Sequence, residues 1–536
     1  MKRHGVDGDL DPAHPALCFH REVLTFLKWA AIRRDFLEAL QASPRLHFLE
    51  PRKLWRHSQE ALGKWVLSQV ARDTRSGTEE PAASPSFLPT RATLSGGTYD
   101  EQLIRDISLK CEDSGSAEVV AEVKALLARF NLSQRCEDAA AAVLRELSST
   151  SPSMYCVPSL RIIDAAEERS RTASQRRVQG SVAEISAQWP KHARHSCPPV
   201  SLPLLAYKKL EMCYTHFSET AEAKRYPRLD HDSRFLLRAA AVALRYEGCL
   251  ATGSLQLCAD TRLKQHLHAA GYHVMDLCAS PINAYMGSPK AGSHSTLGED
   301  GCEDEGSGKE ASALEAENTP NHFCSAFPDT DCYFGSLGSA LQFDVEAAYN
   351  SLEVNPEKKP LLLTLDVPYD EDICERLFSR LVRDMQCAEG KMAMQQGKPS
   401  PPPYIADYVL VLPLWWDVPM QRRKRLFGVA GGAPPSSEEE EQKLLDAVVK
   451  ERSAILHCGY IVPYEWPQHL AKAAGKSWVC FDGVFLGDSY KYFCTATNKW
   501  LQGVTAAEVI GLSQPRADAD GGHWLETQLA AFYGGQ

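Results

Sequence analysis

The run LLLTLDVPYDED (361–372) is apolar until Asp366 and then turns polar at once, before ICERLFSRLV resumes with helical spacing. An apolar run without polar alternation fits a strand buried on both faces, the way strands of a parallel sheet read. HVMDL (273–277) and YIADYVLVLPL (404–414) repeat the pattern, as short apolar runs bounded by loops and separated by helical segments. The alternation predicts βαβ units, hence an α/β fold whose mostly parallel sheet carries helices on both faces.

At 536 residues the chain exceeds what one core usually organises, so two or three domains are expected. Residues 18–72 have helical spacing of Leu, Phe and Trp, with a break at Glu50-Pro51. Residues 73–98 read as a linker, and amphipathic helices follow at about 99–148. Residues 165–198 carry Arg171, Arg176, Arg177, Lys191 and Arg194; they fit a solvated helix plus linker, or an RNA-backbone contact. The expected division is a helical region over 1–198, an α/β core with its helical lead-in over 199–515, and a tail over 516–536. Low-complexity inserts interrupt the core at 287–320 and 429–442.

The 17 cysteines are scattered and form no CxxC pair, which argues against a zinc ribbon and for a reducing compartment. The opening MKRHGVDGDLDPAHP lacks the apolar core of a signal peptide, and YVLVLPLWW (408–416) is too short to span a bilayer. A soluble intracellular protein without a membrane partner is expected. The net charge of -11 requires any RNA site to be a local basic surface on an acidic body.

A strand ending in Asp/Asn-x-Pro-aromatic suits methylation of an exocyclic amine on a base. That nitrogen is a poor nucleophile, because its lone pair is delocalised into the ring. Asp366 would accept one N–H and the backbone carbonyl of Val367 or Pro368 another, while Pro368 stiffens the loop and Tyr369 stacks on the base. A plain structural turn is the competing reading of the four residues.

Three longer strings surround this one: RFLLRAAAVALRYEG (234–248), CASPIN (278–283) and CSAFPDTDCYFGS (324–336). Together they resemble the phosphorylated CTD-interacting factor family over roughly residues 200–500. The resemblance implies a Rossmann-like methyltransferase core that uses S-adenosyl-L-methionine to methylate N6 of the cap-adjacent adenosine of mRNA. It further implies the capped 5′ end as substrate, the RNA polymerase II C-terminal tail as a partner, and the nucleus as location. Some members carry an N-terminal WW domain; here Trp55 and Trp65 lie too close together for one, which weakens the polymerase-tail expectation. No metal is implied.

On that resemblance HVMDL-CASPIN is the first strand with its cofactor loop. Asp276 is expected at the strand's end, Ser280 and Asn283 as hydrogen-bonding groups, and Pro281 as the turn. With 287–320 set aside, Asp329 and Asp331 fall where a ribose-gripping acid is expected, and Phe334 and Gly335 where an adenine slot would be. The alternative for this string is a surface turn.

The family's Asn-Pro-Pro-Phe has two counterparts, Asn355-Pro356-Glu357-Lys358 and Asp366-Val367-Pro368-Tyr369. The second follows an apolar strand and precedes an acidic helix start, and is preferred. Trp415 and Trp416 offer stacking faces or pack the sheet. Arg422 and Arg423, in QRRKR, fit RNA phosphates, a nuclear signal or a solvated turn. Arg245, on a helical face with Arg234 and Arg238, is expected to border the substrate pocket. The competing function is a catalytically inactive methyltransferase fold that binds capped RNA or the polymerase tail.

Overall fold

The computed structural model describes residues 11–71, 87–90, 100–113, 116–165, 167, 180–190, 197–250, 257–258, 260–287, 320–351, 361–366, 371–395, 406–413, 425–427, 437, 439, 443, 478–485, 491–494, 499–502, 507–513 and 524–534. Helices α1 (Pro15–Ala42), α2 (Leu54–Ala71), α3 (Glu101–Ser108), α4 (Ala117–Phe130) and α5 (Leu132–Ser149) open the chain. An antiparallel sheet of β1 (Val157–Ile163), β2 (Val182–Gln188) and β3 (Val200–Pro203) follows. Helices α6 (Leu204–Phe217), α7 (Glu219–Arg225) and α8 (His231–Ala243) come next, with α8 running into a π-helical turn over Leu244–Leu250.

The second half builds a seven-stranded sheet. Its elements are α9 (Thr261–Ala269), β5 (His273–Ala279), β6 (Phe323–Ser325), α10 (Val345–Ser351), β7 (Leu361–Asp366), α11 (Glu371–Gln395), β8 (Asp407–Pro413), β9 (Arg425–Phe427), β10 (Val479–Phe485), β13 (Ala507–Leu512) and α12 (Trp524–Gly534). A small sheet joins β4 (Leu257–Cys258), β11 (Lys491–Cys494) and β12 (Lys499–Gln502). The strand order of the large sheet is β6-β5-β7-β8-β13-β10-β9; β6, β5, β7 and β8 are mutually parallel, and β13 runs antiparallel to both its neighbours. The mostly parallel sheet predicted from the apolar runs is present, and the arrangement is compatible with a Rossmann-like fold.

Alternation along each strand explains why the runs are apolar throughout. Met275, Leu363, Leu365 and Leu410 face one side and pack with Ile373, Leu377 and Leu381 of α11. Val274, Leu362, Val409 and Val411 face the other and pack with Leu263 and Leu267 of α9 and Leu525 and Leu529 of α12. A strand covered twice has no face on which polar residues are tolerated.

Two expectations change, and one cluster crosses the expected division: apolar packing runs from Phe19 through Val200 to Phe334, so the N-terminal helices share a core with the lead-in to the sheet. Part of the expected linker is pinned, with Phe87 and Leu88 fully buried and the Phe87 ring against Trp29 and Phe327. Residues 182–188, read as helix or linker, form β2, because Val182, Ala183 and Ile185 are buried against its neighbours. Among the described residues no helix is long and apolar enough to cross a membrane.

Candidate active site

From β5 the chain passes outward to β6 and then returns across the sheet to β7, so the strand order reverses between β5 and β7. Loops leaving the carboxyl ends of two such strands diverge and leave a crevice. A cleft holding about 750 Å³ of space, part of it open to solvent, lies there. Leu277 to Ser280, Asn283, Ser325 and Ala326 form its sheet side; Ile373 and Leu377 of α11 and Leu67, Val70 and Ala71 of α2 form its walls. Tyr246 and Leu250 reach it from the π-helical turn, whose widened backbone interrupts the regular helix beside the cleft.

The loop after β5 is tied to itself. Asn283 Oδ1 accepts from the Ser280 backbone N–H at 2.6 Å and from its hydroxyl at 3.0 Å, while Asn283 N donates back to Ser280 O at 3.1 Å. Ser280 and Asn283 are therefore held on the cleft wall, and the buried Pro281 shapes the turn between them.

The other expected cofactor residues stand behind that wall. Asp276 is the fourth residue of β5 rather than its end, and is buried. It accepts from Tyr285 N at 2.7 Å and from Lys264 Nζ at 2.6 Å. Asp331 is fully buried; its carboxylate accepts from the Tyr246 hydroxyl at 2.6 Å and the Thr330 hydroxyl at 2.9 Å. Burial pushes its pKa up to about 7, against the lowering effect of those donors. Phe334 has no exposed surface and packs in the core shared with the N-terminal helices. Gly335 has φ +99, and a Cβ there would collide with the Phe217 ring, so the glycine serves a tight turn. CSAFPDTDCYFGS thus contributes Ser325 and Ala326 to the cleft, whereas Asp331, Phe334 and Gly335 support it from within.

Arg245 also differs from expectation. Its guanidinium is fully buried, 2.5 Å from Glu22 and 2.6 Å from Asp329, and its neighbour Tyr246 is the residue that lines the cleft. Arg238 binds Glu222 at 2.5 Å and the carbonyl of Ala13, and Arg234 donates to the carbonyl of Leu229, so this face is internal. Arginines spaced along one helical face read as a basic surface in sequence; here carboxylates and carbonyls, some near in the chain and some distant, cover them.

Asp366 ends β7. Its carboxylate lies close enough to Cys278, a cleft residue, to help push that thiol's pKa up, without itself lining the cleft. Lys264 Nζ lies 3.2 Å from Asp366 Oδ2, bridging it to Asp276. Sequence reading passed over Lys264; the available signal was a lysine three residues before Leu267 on the buried side of a short helix. Val367, Pro368, Tyr369, the 355–358 alternative, Trp415, Trp416, Arg422 and Arg423 lie outside the described residues.

Fold and cleft together define an α/β protein with a largely apolar crevice at the switch point of its sheet. A family model described as "Phosphorylated CTD interacting factor 1 WW domain" matches residues 209–392, which supports a relation to that family. The matched stretch runs from α6 through the cleft loops, β5, β6 and β7 into α11. Among curated proteins none matches the chain.

Proposed function

We propose that this chain transfers a methyl group from S-adenosyl-L-methionine to N6 of the cap-adjacent adenosine of mRNA, including adenosine bearing a 2′-O-methyl. The observation that carries this reading is the position of Asp366, at the end of β7 and near Cys278 of the cleft wall at the switch point. The relation to the family supports it.

The lining suits the cofactor. Leu250, Leu277, Ile373 and Leu377 offer an apolar slot for a flat ring, and Ser280, Asn283 and Ser325 offer polar groups for its hydroxyl and amino-acid ends. When bound, S-adenosyl-L-methionine supplies an electrophilic methyl on a sulfonium. Asp366 accepts an N–H of the substrate amine and turns its lone pair toward that methyl; the carbonyl of Val367 or Pro368 accepts the other N–H. Tyr369 stacks on the adenine, and Trp415, Trp416, Arg422 and Arg423 hold the rest of the capped RNA. The amine proton leaves after transfer, so no strong base is required.

The test offers capped, adenosine-start RNA and labelled cofactor to the full chain and to Asp366→Ala and Tyr369→Ala. Transfer by the wild type with loss of at least about a hundredfold in each variant is expected. Equal rates in all three would sink the assignment.

A second reading is a protein that binds capped RNA or the polymerase tail without transfer. One observation favours it: Asp276, Asp331, Phe334 and Gly335 are engaged inside the fold rather than on the cleft. Calorimetry separates the two, since this reading expects no heat on adding the cofactor alone.

A further inference from the structure

We propose that Lys264 is a positioning residue for Asp366, anchoring the acceptor carboxylate at the end of β7. The inference rests on the function proposed above and adds a residue that the motif itself does not contain.

Lys264 projects from α9, before the first strand of the sheet, and is only 3% exposed. Its Nζ reaches Asp276 Oδ1 at 2.6 Å and Asp366 Oδ2 at 3.2 Å. Asp276 is fixed in turn by the Tyr285 backbone N–H and the Thr364 hydroxyl. One ammonium therefore ties a helix to two adjacent parallel strands, and its second partner is the strand-end carboxylate near Cys278 of the cleft wall.

A buried lysine needs an anion, and Asp276 alone would satisfy that need. The contact to Asp366 has a different consequence. Both carboxylates lie within reach of one nitrogen, so removal of the cation leaves Asp366 beside a second carboxylate with nothing between them at that point. Lys264 from α9 and Asp276 and Cys278 from β5 are charged or titratable groups that face Asp366. Burial and the two carboxylates push the Cys278 thiol up, so it stays protonated and adds no charge. Asparagine in place of Asp366 would leave the neutral pair of Lys264 and Asp276, which makes Asp366→Asn the natural partner in a test.

The experiment records pH–rate profiles of methyl transfer for the full chain as wild type, Lys264→Arg, Lys264→Met and Lys264→Met/Asp366→Asn. Thermal unfolding and cofactor calorimetry accompany each. Lys264→Met is expected to move the acid limb up by about one to three pH units, each unit costing about tenfold in rate on that limb. Lys264→Arg should keep the wild-type limb, the double variant should lose it and recover rate, and cofactor affinity should stay the same throughout. A folded Lys264→Met with an unmoved limb overturns the inference and leaves the proposed function standing. If Lys264→Met does not fold, Lys264→Gln takes its place: a limb moved up supports the inference, and an unmoved wild-type limb overturns it. Absence of transfer by the wild type overturns both, and reduces Lys264 to a structural ion-pair residue.

Discussion

The Tyr246 hydroxyl donates to Asp331 at 2.6 Å from within the core, while the same tyrosine lines the cleft. One side chain thus joins the crevice to a buried carboxylate, and both have pKa values raised by burial.

Tyr246→Phe removes that donor and leaves the Asp331 oxygen with one partner fewer. A loss of about 1–3 kcal/mol is expected, the usual result of stranding a buried acceptor. Urea unfolding midpoints measure it, and an unchanged midpoint would show that the bond contributes nothing.

Asp331 carries its own pH signature. Its folded pKa of about 7 stands above the ordinary 3.8, so between these values the folded chain keeps a proton that the unfolded chain releases. Its contribution to stability is therefore fully present at low pH and declines as pH rises through that window. Asp331→Asn should cancel the decline: relative to wild type, its melting temperature should be more favourable at about pH 8 than at about pH 5. Parallel melting curves across that range would contradict the assignment.

For Arg245 the expected defect is in folding rather than in RNA affinity. Arg245→Ala leaves Glu22 and Asp329 facing a void, and breaking such a buried pair costs about 3–5 kcal/mol. Denaturant titration reads the loss, and filter binding on the folded fraction should give wild-type affinity for capped RNA. A selective loss of RNA binding at unchanged stability would return Arg245 to the substrate surface.

Asn283→Ala should weaken cofactor binding by about tenfold, since it removes a polar group from the cleft and the side chain that ties Ser280 in place. Calorimetry with S-adenosyl-L-methionine tests this. Retained affinity would move the cofactor away from the loop after β5.

The strands were readable because burial on both faces leaves a local mark. HVMDL lies within β5, LLLTL within β7 and YVLVLP within β8, with a helix directly after β7 as its spacing predicts. The mixed segment that became β2 carried no such mark, since Val182, Ala183 and Ile185 are buried while Glu184, Ser186 and Ala187 are only half-buried, and Phe87 sits in a stretch whose Ser and Pro content reads as linker.

Side-chain assignments divide along the same line. The turn from Ser280 to Asn283 was legible because its bonds close within one short loop, whereas a cofactor contact by either side chain belongs to the proposal above. The fates of Arg245, Asp331 and Lys264 were not legible, because their partners Glu22, Tyr246 and Asp366 are brought to them by packing between segments far apart in the chain.

By itself the sequence determined the alternation of buried strands and covering helices, and the composition of the turns at the strand ends, because both depend on neighbours a few residues away. Only the tertiary structure decided which polar groups face the crevice and which hold it from behind. A charge is buried or exposed according to what folds over it, and those covering residues come from distant parts of the chain.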